Sequence, residues 1–207
     1  MSHGLSRLLG GSLGPIGTIT SLKTLSLSNT GLSGSLNDQL SNLSQLQSLA
    51  LSSNQQLEIN GPTLGGISDL GLTSLNLNTQ SLPSNALAVL AQSGSKLAST
   101  LTLLKMTSTG QSGQIPDALA QGLSGLKTLI LDGNSFTSMP DPATNNGIIF
   151  PNGLTTLSVA ANPGLQGVLT SAECTALQQA NVKSCVFTGT SVTLETGLSS
   201  CGDCQLR

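Results

Sequence analysis

The chain predicts a solenoid of stacked coils built around a parallel β-sheet, and three observations predict it. First, the pattern LxxLxL occurs six times: Leu22–Leu27, Leu46–Leu51, Leu72–Leu77, Leu101–Met106, Leu126–Leu131 and Leu154–Val159. Second, the middle leucines fall at 25, 49, 75, 104, 129 and 157, so the repeat length stays in the twenties. A period of that size with this core marks stacked supersecondary units, not a globule around a pocket. Third, a turn-forming residue recurs three places after the last apolar position: Thr30, Asn54, Gln80, Thr109, Asn134 and Asn162.

Each element of the coil has its own signal. Within LxxLxL the side chains alternate inward and outward at period 2, so each motif is a short strand. Strands of successive coils then stack in parallel and the leucines stack into a core. At the turn, the side chains of Asn54, Asn134 and Asn162 can satisfy backbone groups of adjacent coils as a ladder. Each such bond nets roughly 0.5–1.5 kcal/mol, and leaving a buried partner unmade costs roughly 1–3 kcal/mol. Thr30, Gln80 and Thr109 occupy the same position with other chemistry and are expected to brace their coils less tightly.

The second half of the unit is also legible. Leu32-Ser33-Gly34-Ser35-Leu36 is followed by Leu40 and Leu43, and Gln111-Ser112-Gly113-Gln114-Ile115-Pro116 by Leu119 and Leu123. Leu165-Gln166-Gly167-Val168-Leu169 repeats the first part. The combined pattern LxxLxLxxNxLxGxIPxxLxxLxxL resembles leucine-rich repeats of the plant-specific, extracellular subclass, over about residues 9–170, with Gln111–Asn134 as its best match. The resemblance implies an α/β solenoid, a curved right-handed coil with the parallel β-sheet on its concave face. It also implies short helices or 3₁₀ turns on the convex face and a second short strand or turn at LxGxIP.

Some units depart from the pattern. Asn54-Gln55-Gln56-Leu57 and Asn162-Pro163-Gly164-Leu165 carry one extra residue. The unit after Leu82 lacks Gly-x-Ile-Pro, and Pro83–Leu90 reads as a helix capped by Ser84. Ser138–Gly153 reads as an inserted loop, taken as decoration ahead of function.

The ends differ. Leu9-Gly10-Gly11-Ser12-Leu13 matches the second half of a repeat, so the chain starts in mid-coil without the cysteine-bearing cap usual in the resembled subclass. A fragment is the leading reading, and stacking on a partner is the other, because an open coil exposes its core. Residues 1–170 read as the solenoid, about six to seven coils, and 171–207 as a C-terminal cap. Thr170 and Glu173 form a capping box for a helix that carries Leu177 inward. Cys174, Cys185, Cys201 and Cys204 all lie in this cap. Four cysteines allow three pairings. Cys174–Cys185 with Cys201–Cys204 is the one favoured here, and it implies an oxidising compartment. A Cys₄ zinc site and a redox CxxC are the rivals, disfavoured by ligand spacing and by the absence of a βαβ setting.

Composition bounds function. Only 8% of residues are charged, 1% are aromatic, and the net charge is −2 with no basic run. That disfavours nucleic acid, which needs clustered Lys and Arg to neutralise phosphates. No apolar run reaches the roughly 18–20 residues that span a bilayer. Met1-Ser2-His3-Gly4 shows no signal peptide, so a secreted protein would be a mature or truncated form. Asn42-Leu43-Ser44 is a glycosylation sequon at an exposed spacer position. The one histidine is His3 and the carboxylates are scattered, so no catalytic constellation, metal site or cofactor is expected.

The outward strand positions form three columns. They are Thr24, Ser48, Ser74, Leu103, Thr128, Thr156; then Ser26, Ala50, Asn76, Lys105, Ile130, Ser158; then Ser28, Ser52, Asn78, Thr107, Asp132, Ala160. Binding hot spots favour Trp, Tyr and Arg, and this face has none. The candidate ligand-binding residues are therefore Asn76, Asn78, Leu103, Lys105, Thr107, Ile130 and Asp132. Three functions fit: an extracellular module that recognises a protein partner, a cell-surface or matrix subunit that self-assembles end to end, and a binder of ice or polysaccharide through Ser/Thr ranks. The first leads and the third is weakest, because Leu103, Lys105 and Asp132 interrupt the ranks.

Overall fold

The computed structural model describes residues 3–4, 16–36, 40–145 and 147–206. Leu9 and Leu13, on which the mid-coil reading rests, lie outside them. The main sheet has nine parallel strands in chain order: His3–Gly4, Thr24–Ser26, Ser48–Ala50, Ser74–Asn76, Leu103–Lys105, Thr128–Ile130, Thr156–Ser158, Ser184–Val186 and Cys204–Gln205. The middle leucines stand in register, Leu25 on Leu49, Leu75, Leu104, Leu129 and Leu157 in turn. All six are buried. The fold is the leucine-rich repeat solenoid, with this sheet on the concave face.

The sheet continues past the last recognised motif. Val182-Lys183-Ser184-Cys185-Val186-Phe187 keeps the LxxLxL spacing with other apolar residues, and Cys185 pairs with Leu157 in register. Cys201-Gly202-Asp203-Cys204-Gln205-Leu206 repeats it, with Cys204 opposite Cys185. The cysteine segment thus adds strands to the same stack.

The LxGxIP segments form a flank of short strands beside the main sheet. Ser33–Ser35 pairs with Gln56–Glu58, and Ser112–Gln114, Ser135–Ser138, Gln166–Leu169 and Ser191–Leu194 form a separate four-stranded sheet. The break between the two groups falls at residues 81–83, where the motif is missing.

The convex side carries helices α1 (Gly61–Ser68), α2 (Ala86–Leu90), α3 (Leu97–Thr100), α4 (Leu119–Gly122) and α5 (Ser171–Gln179). Asn60 caps α1 by accepting Thr63 N–H at 3.1 Å, with Pro62 in its first turn. The Ser84 cap is corrected: α2 begins at Ala86 and Asn85 stands at the cap position without a side-chain bond. Instead, Gln111 of the next coil accepts Leu87 N–H at 3.0 Å and donates to the Pro83 carbonyl at 2.8 Å. A cap supplied from the following coil has no local sequence signal.

The decoration reading of Ser138–Gly153 is also corrected. Ile149 and Phe150 are buried in the core, where other coils place helical leucines. The loop's start is tied to the preceding coil, with Asp141 N–H donating to Asp117 Oδ1 at 2.6 Å. It therefore closes the convex side of its own coil, and burying those two side chains contributes about 1.5–3 kcal/mol each.

Every coil reverses direction in the left-handed region just before its ladder position. Asn29, Ser53, Thr79, Ser108 and Ala161 have φ between 53° and 60°, and Gly133 has φ 64°. Of these six, only Gly133 is free of the penalty that a Cβ incurs there, about 1–2 kcal/mol per residue. Ala161 is exposed and makes no side-chain bond that a glycine would lose. Ala161→Gly should therefore stabilise the protein by about 0.5–1 kcal/mol, the strain relieved less the added chain entropy. A urea titration reads it as a raised midpoint at constant slope.

Candidate functional site

The concave columns are real rows. Thr24, Ser48, Ser74, Leu103, Thr128, Thr156 and Ser184 are successive register partners, as are Ser26, Ala50, Asn76, Lys105, Ile130, Ser158 and Val186. Parallel pairing with a period of 2 forces this: all residues one place either side of the buried leucine face outward together. Leu103, Lys105, Thr107, Ile130 and Asp132 come together on two adjacent strands and the turns that follow them, all half-buried. Lys105 stands between Asn76 and Ile130 in its row, with no carboxylate in either register position.

The third column contains more than a candidate surface. Asp132 Oδ1 accepts the Ala160 N–H at 2.9 Å and the Ser158 hydroxyl at 2.5 Å. Asn78 Oδ1 accepts Thr107 N–H at 2.9 Å in the same way, one coil onward. Asn76 Oδ1 accepts the Ser52 hydroxyl and Asn78 N–H, at 2.9 and 3.1 Å. Asn76, Asn78 and Asp132 are thus partly committed to holding coils together. Leu103, Lys105, Thr107 and Ile130 are the remaining candidates on this face. The signal in the sequence was the Asn or Asp at Asn78 and Asp132, each two places past a strand.

A second ladder runs behind the sheet. Asn134 Nδ2 donates to the Met106 carbonyl of the preceding coil and to Leu131 of its own, both at 2.8 Å. Its Oδ1 accepts Thr109 N–H and Gln111 N–H at 3.0 and 3.2 Å. Asn54 and Asn162 bridge their coils in the same manner. Thr30 and Thr109 close their own turns onto the Leu27 and Met106 carbonyls, and their hydroxyls also reach Asn54 and Asn134 Oδ1 of the following coil at 3.0 and 3.2 Å. Gln80 donates to the Leu51 carbonyl, yet its Oε1 is buried with no partner. The extra methylene of Gln, together with the extra residue Gln55 opposite, moves that oxygen out of reach of the amides it would cap.

In the C-terminal segment the pairing is corrected: the disulfides are Cys174–Cys201 and Cys185–Cys204, and neither joins sequence neighbours. Cys185 and Cys204 are stacked register partners in the leucine column, with Cα atoms 4.2 Å apart. Cys174 faces the core from α5 and meets Cys201, which occupies the first-leucine position of its motif, at 4.9 Å. The capping box that orients α5 is present, Thr170 Oγ1 accepting Glu173 N–H and Glu173 Oε2 accepting Thr170 N–H. Asn42 and Ser44 of the sequon are both exposed.

The family model described as Leucine Rich Repeat matches residues 21–43. No curated protein matches the sequence. Among solved structures, the ectodomain of the receptor kinase GASSHO1/SCHENGEN3 from Arabidopsis thaliana, in complex with Casparian strip integrity factor 2, is similar at TM-score 0.61 and 23% identity. That match covers 88% of this chain and 20% of the other. An internalin, InlF, from Listeria monocytogenes is similar at TM-score 0.61 and 19% identity, over 94% and 49% of the two chains. The Arabidopsis receptor kinase HAESA, in complex with the peptide hormone IDA and the co-receptor SERK1, is similar at TM-score 0.59 and 22% identity, over 91% and 34%. The chain spans between a fifth and a half of these proteins, and the likeness lies in the fold.

Proposed function

We propose that this leucine-rich repeat protein is a non-catalytic recognition module that works outside the cell and binds a protein or peptide partner on its concave sheet. The carrying observation is the row geometry: an unbroken parallel sheet whose central coils offer Leu103, Lys105, Thr107 and Ile130 side by side. This apolar pair beside one cation is the bulkiest feature of a face otherwise made of small polar side chains. The two receptor ectodomains with this fold hold protein partners in their crystals, which supports the same use here. Two disulfides support an oxidising, extracellular setting. Among the described residues no helix is long and apolar enough to cross a membrane. The exposed Asn42 fits a glycan there.

The test is a selection of ligands from a secreted-protein display library against the wild-type protein. Ligands recovered should lose at least about tenfold in affinity on Lys105→Glu or Leu103→Asp, a change of about 1.4 kcal/mol or more. They should keep it on Gln178→Glu, at an exposed position on α5. Ligands that bind all three variants alike would remove the concave face as the site.

A further inference from the structure

The flank sheet is interrupted for one coil, and the interruption is open. Gln56–Glu58 has a strand neighbour only on the side of Ser33–Ser35, and Ser112–Gln114 only on the side of Ser135–Ser138. The chain that passes between them, residues 81–83, leans toward the later coil. Leu82 N–H donates to the Thr109 carbonyl at 3.3 Å, and Gln111 holds the Pro83 carbonyl. Among the described residues no hydrogen bond ties 81–85 back to 54–60. A groove of about 920 Å³, its open mouth included, lies there between Leu57, Glu58, Ile59 and Ser81, Leu82. It continues past Gln55 to Gln80, whose buried Oε1 marks the same step as incompletely joined.

The backbone beside this groove has an exact counterpart further along. Leu57 and Leu165 both follow a ladder Asn by three residues, and both close the same turn at 2.9 Å. Leu165 then offers its carbonyl to Ser191 N–H at 2.8 Å, and Gly167 pairs with Val192. Leu57 and Ile59 hold the same positions with no strand to receive them. Unpaired edge groups of this kind are met by strand addition, in which backbone bonds give affinity and alternate side chains give selectivity.

We propose that this gap is a second binding site, separate from the concave face, which takes an extended peptide segment as the missing parallel strand. Glu58 is the one charged residue lining it and is exposed, so the segment carries a Lys or Arg beside it. The side chains facing the flank are small or polar, which suits a peptide lying flat across Gln55 and Ser81.

The probe is the peptide Ac-Ser-Val-Thr-Leu-Lys-Thr-NH₂, which borrows the flank strand at Ser191–Leu194 and adds a lysine, with a glutamate version for comparison. Binding is followed by amide NMR shifts and titration calorimetry on the full chain. The lysine peptide should bind at or below about 1 mM and shift Leu57 and Ile59 amides, leaving Lys105 and Ile130 unmoved. Methylating one alternate set of peptide nitrogens should abolish binding, and methylating the other set should not. Glu58→Lys should reverse the preference for lysine over glutamate by roughly two- to fivefold, as expected of a partly exposed ion pair. No binding at that concentration, equal tolerance of both methylated sets, or shifts confined to Lys105 and Ile130 would each overturn the proposal. So would shifts at Leu57 and Ile59 that follow protein concentration alone, which would make a second copy the occupant. Loss of the concave ligand in Lys105→Glu leaves this result untouched, so the two sites fail separately.

Discussion

Asn134→Ala should destabilise the protein by about 2–5 kcal/mol, while Ser135→Ala beside it should change stability by under about 0.5 kcal/mol. The contrast comes from what each side chain holds. The Asn134 amide serves the Met106 and Leu131 carbonyls and the amides of Thr109 and Gln111, and all four partners belong to buried residues. Alanine leaves the Thr109 and Gln111 amides without that acceptor, at roughly 1–3 kcal/mol for each left fully unsatisfied, while the Met106 and Leu131 carbonyls keep weaker donors in the Thr109 hydroxyl and Asn162 Nδ2. Ser135 is exposed, and its strand bond to the Gln111 carbonyl comes from its backbone, which alanine keeps. Urea unfolding of the two variants measures the difference. Equal, small losses would remove the ladder from the account of stability. Asp is the sharper control at 134: it keeps the acceptor for Thr109 and Gln111 and loses the donor for Met106 and Leu131. Asn134→Asp should remain destabilised, because it sets a carboxylate oxygen against the Met106 and Leu131 carbonyls in a buried site.

What the sequence disclosed and what it hid follow one rule. Wherever leucine sits in LxxLxL, the strand, its register and its outward residues could be written down beforehand, as for Leu104 and Leu129. The same spacing at Val182–Phe187 and Cys201–Leu206 was masked because cysteine, valine and phenylalanine fill the core positions. Burial needs apolar volume and not leucine in particular, so a pattern keyed on one residue stops early. The missing Gly-x-Ile-Pro after Leu82 was visible, and the split flank sheet is its consequence. Long-range partners were not visible. Gln111 capping α2 and Asp132 holding Ala160 act across coils, at separations of 24 and 28 residues, where no local signal reaches. The concave candidates were legible as positions because the pleat alone dictates them. Which of them are free to meet a partner depended on those cross-coil bonds.

The cysteines give the other large effect, and they give it at one end. Replacing Cys185 and Cys204 by Ala should cost about 3 kcal/mol, and replacing Cys174 and Cys201 about 3.5 kcal/mol, from the loop entropy each bond removes from the unfolded chain. The loops behind those figures span 19 and 27 residues. Peptide mapping of untreated protein should recover the 174–201 and 185–204 links, and a 174–185 link would overturn the stacked arrangement. The site of the damage is as diagnostic as its size. In a solenoid each coil is stabilised by its neighbours, so an end that loosens exposes the next coil. Strand Thr156–Ser158 is covered on its outer side by Ser184–Val186, and Leu157 there rests on Cys185. Hydrogen exchange on reduced protein should therefore show protection lost first over 184–206 and next at 156–159, while amides around Leu75 and Leu104 stay protected. Loss at Leu75 as early as at Cys185 would mean that the stack opens as a whole. In that case the disulfides would act on the entire coil and not on its end.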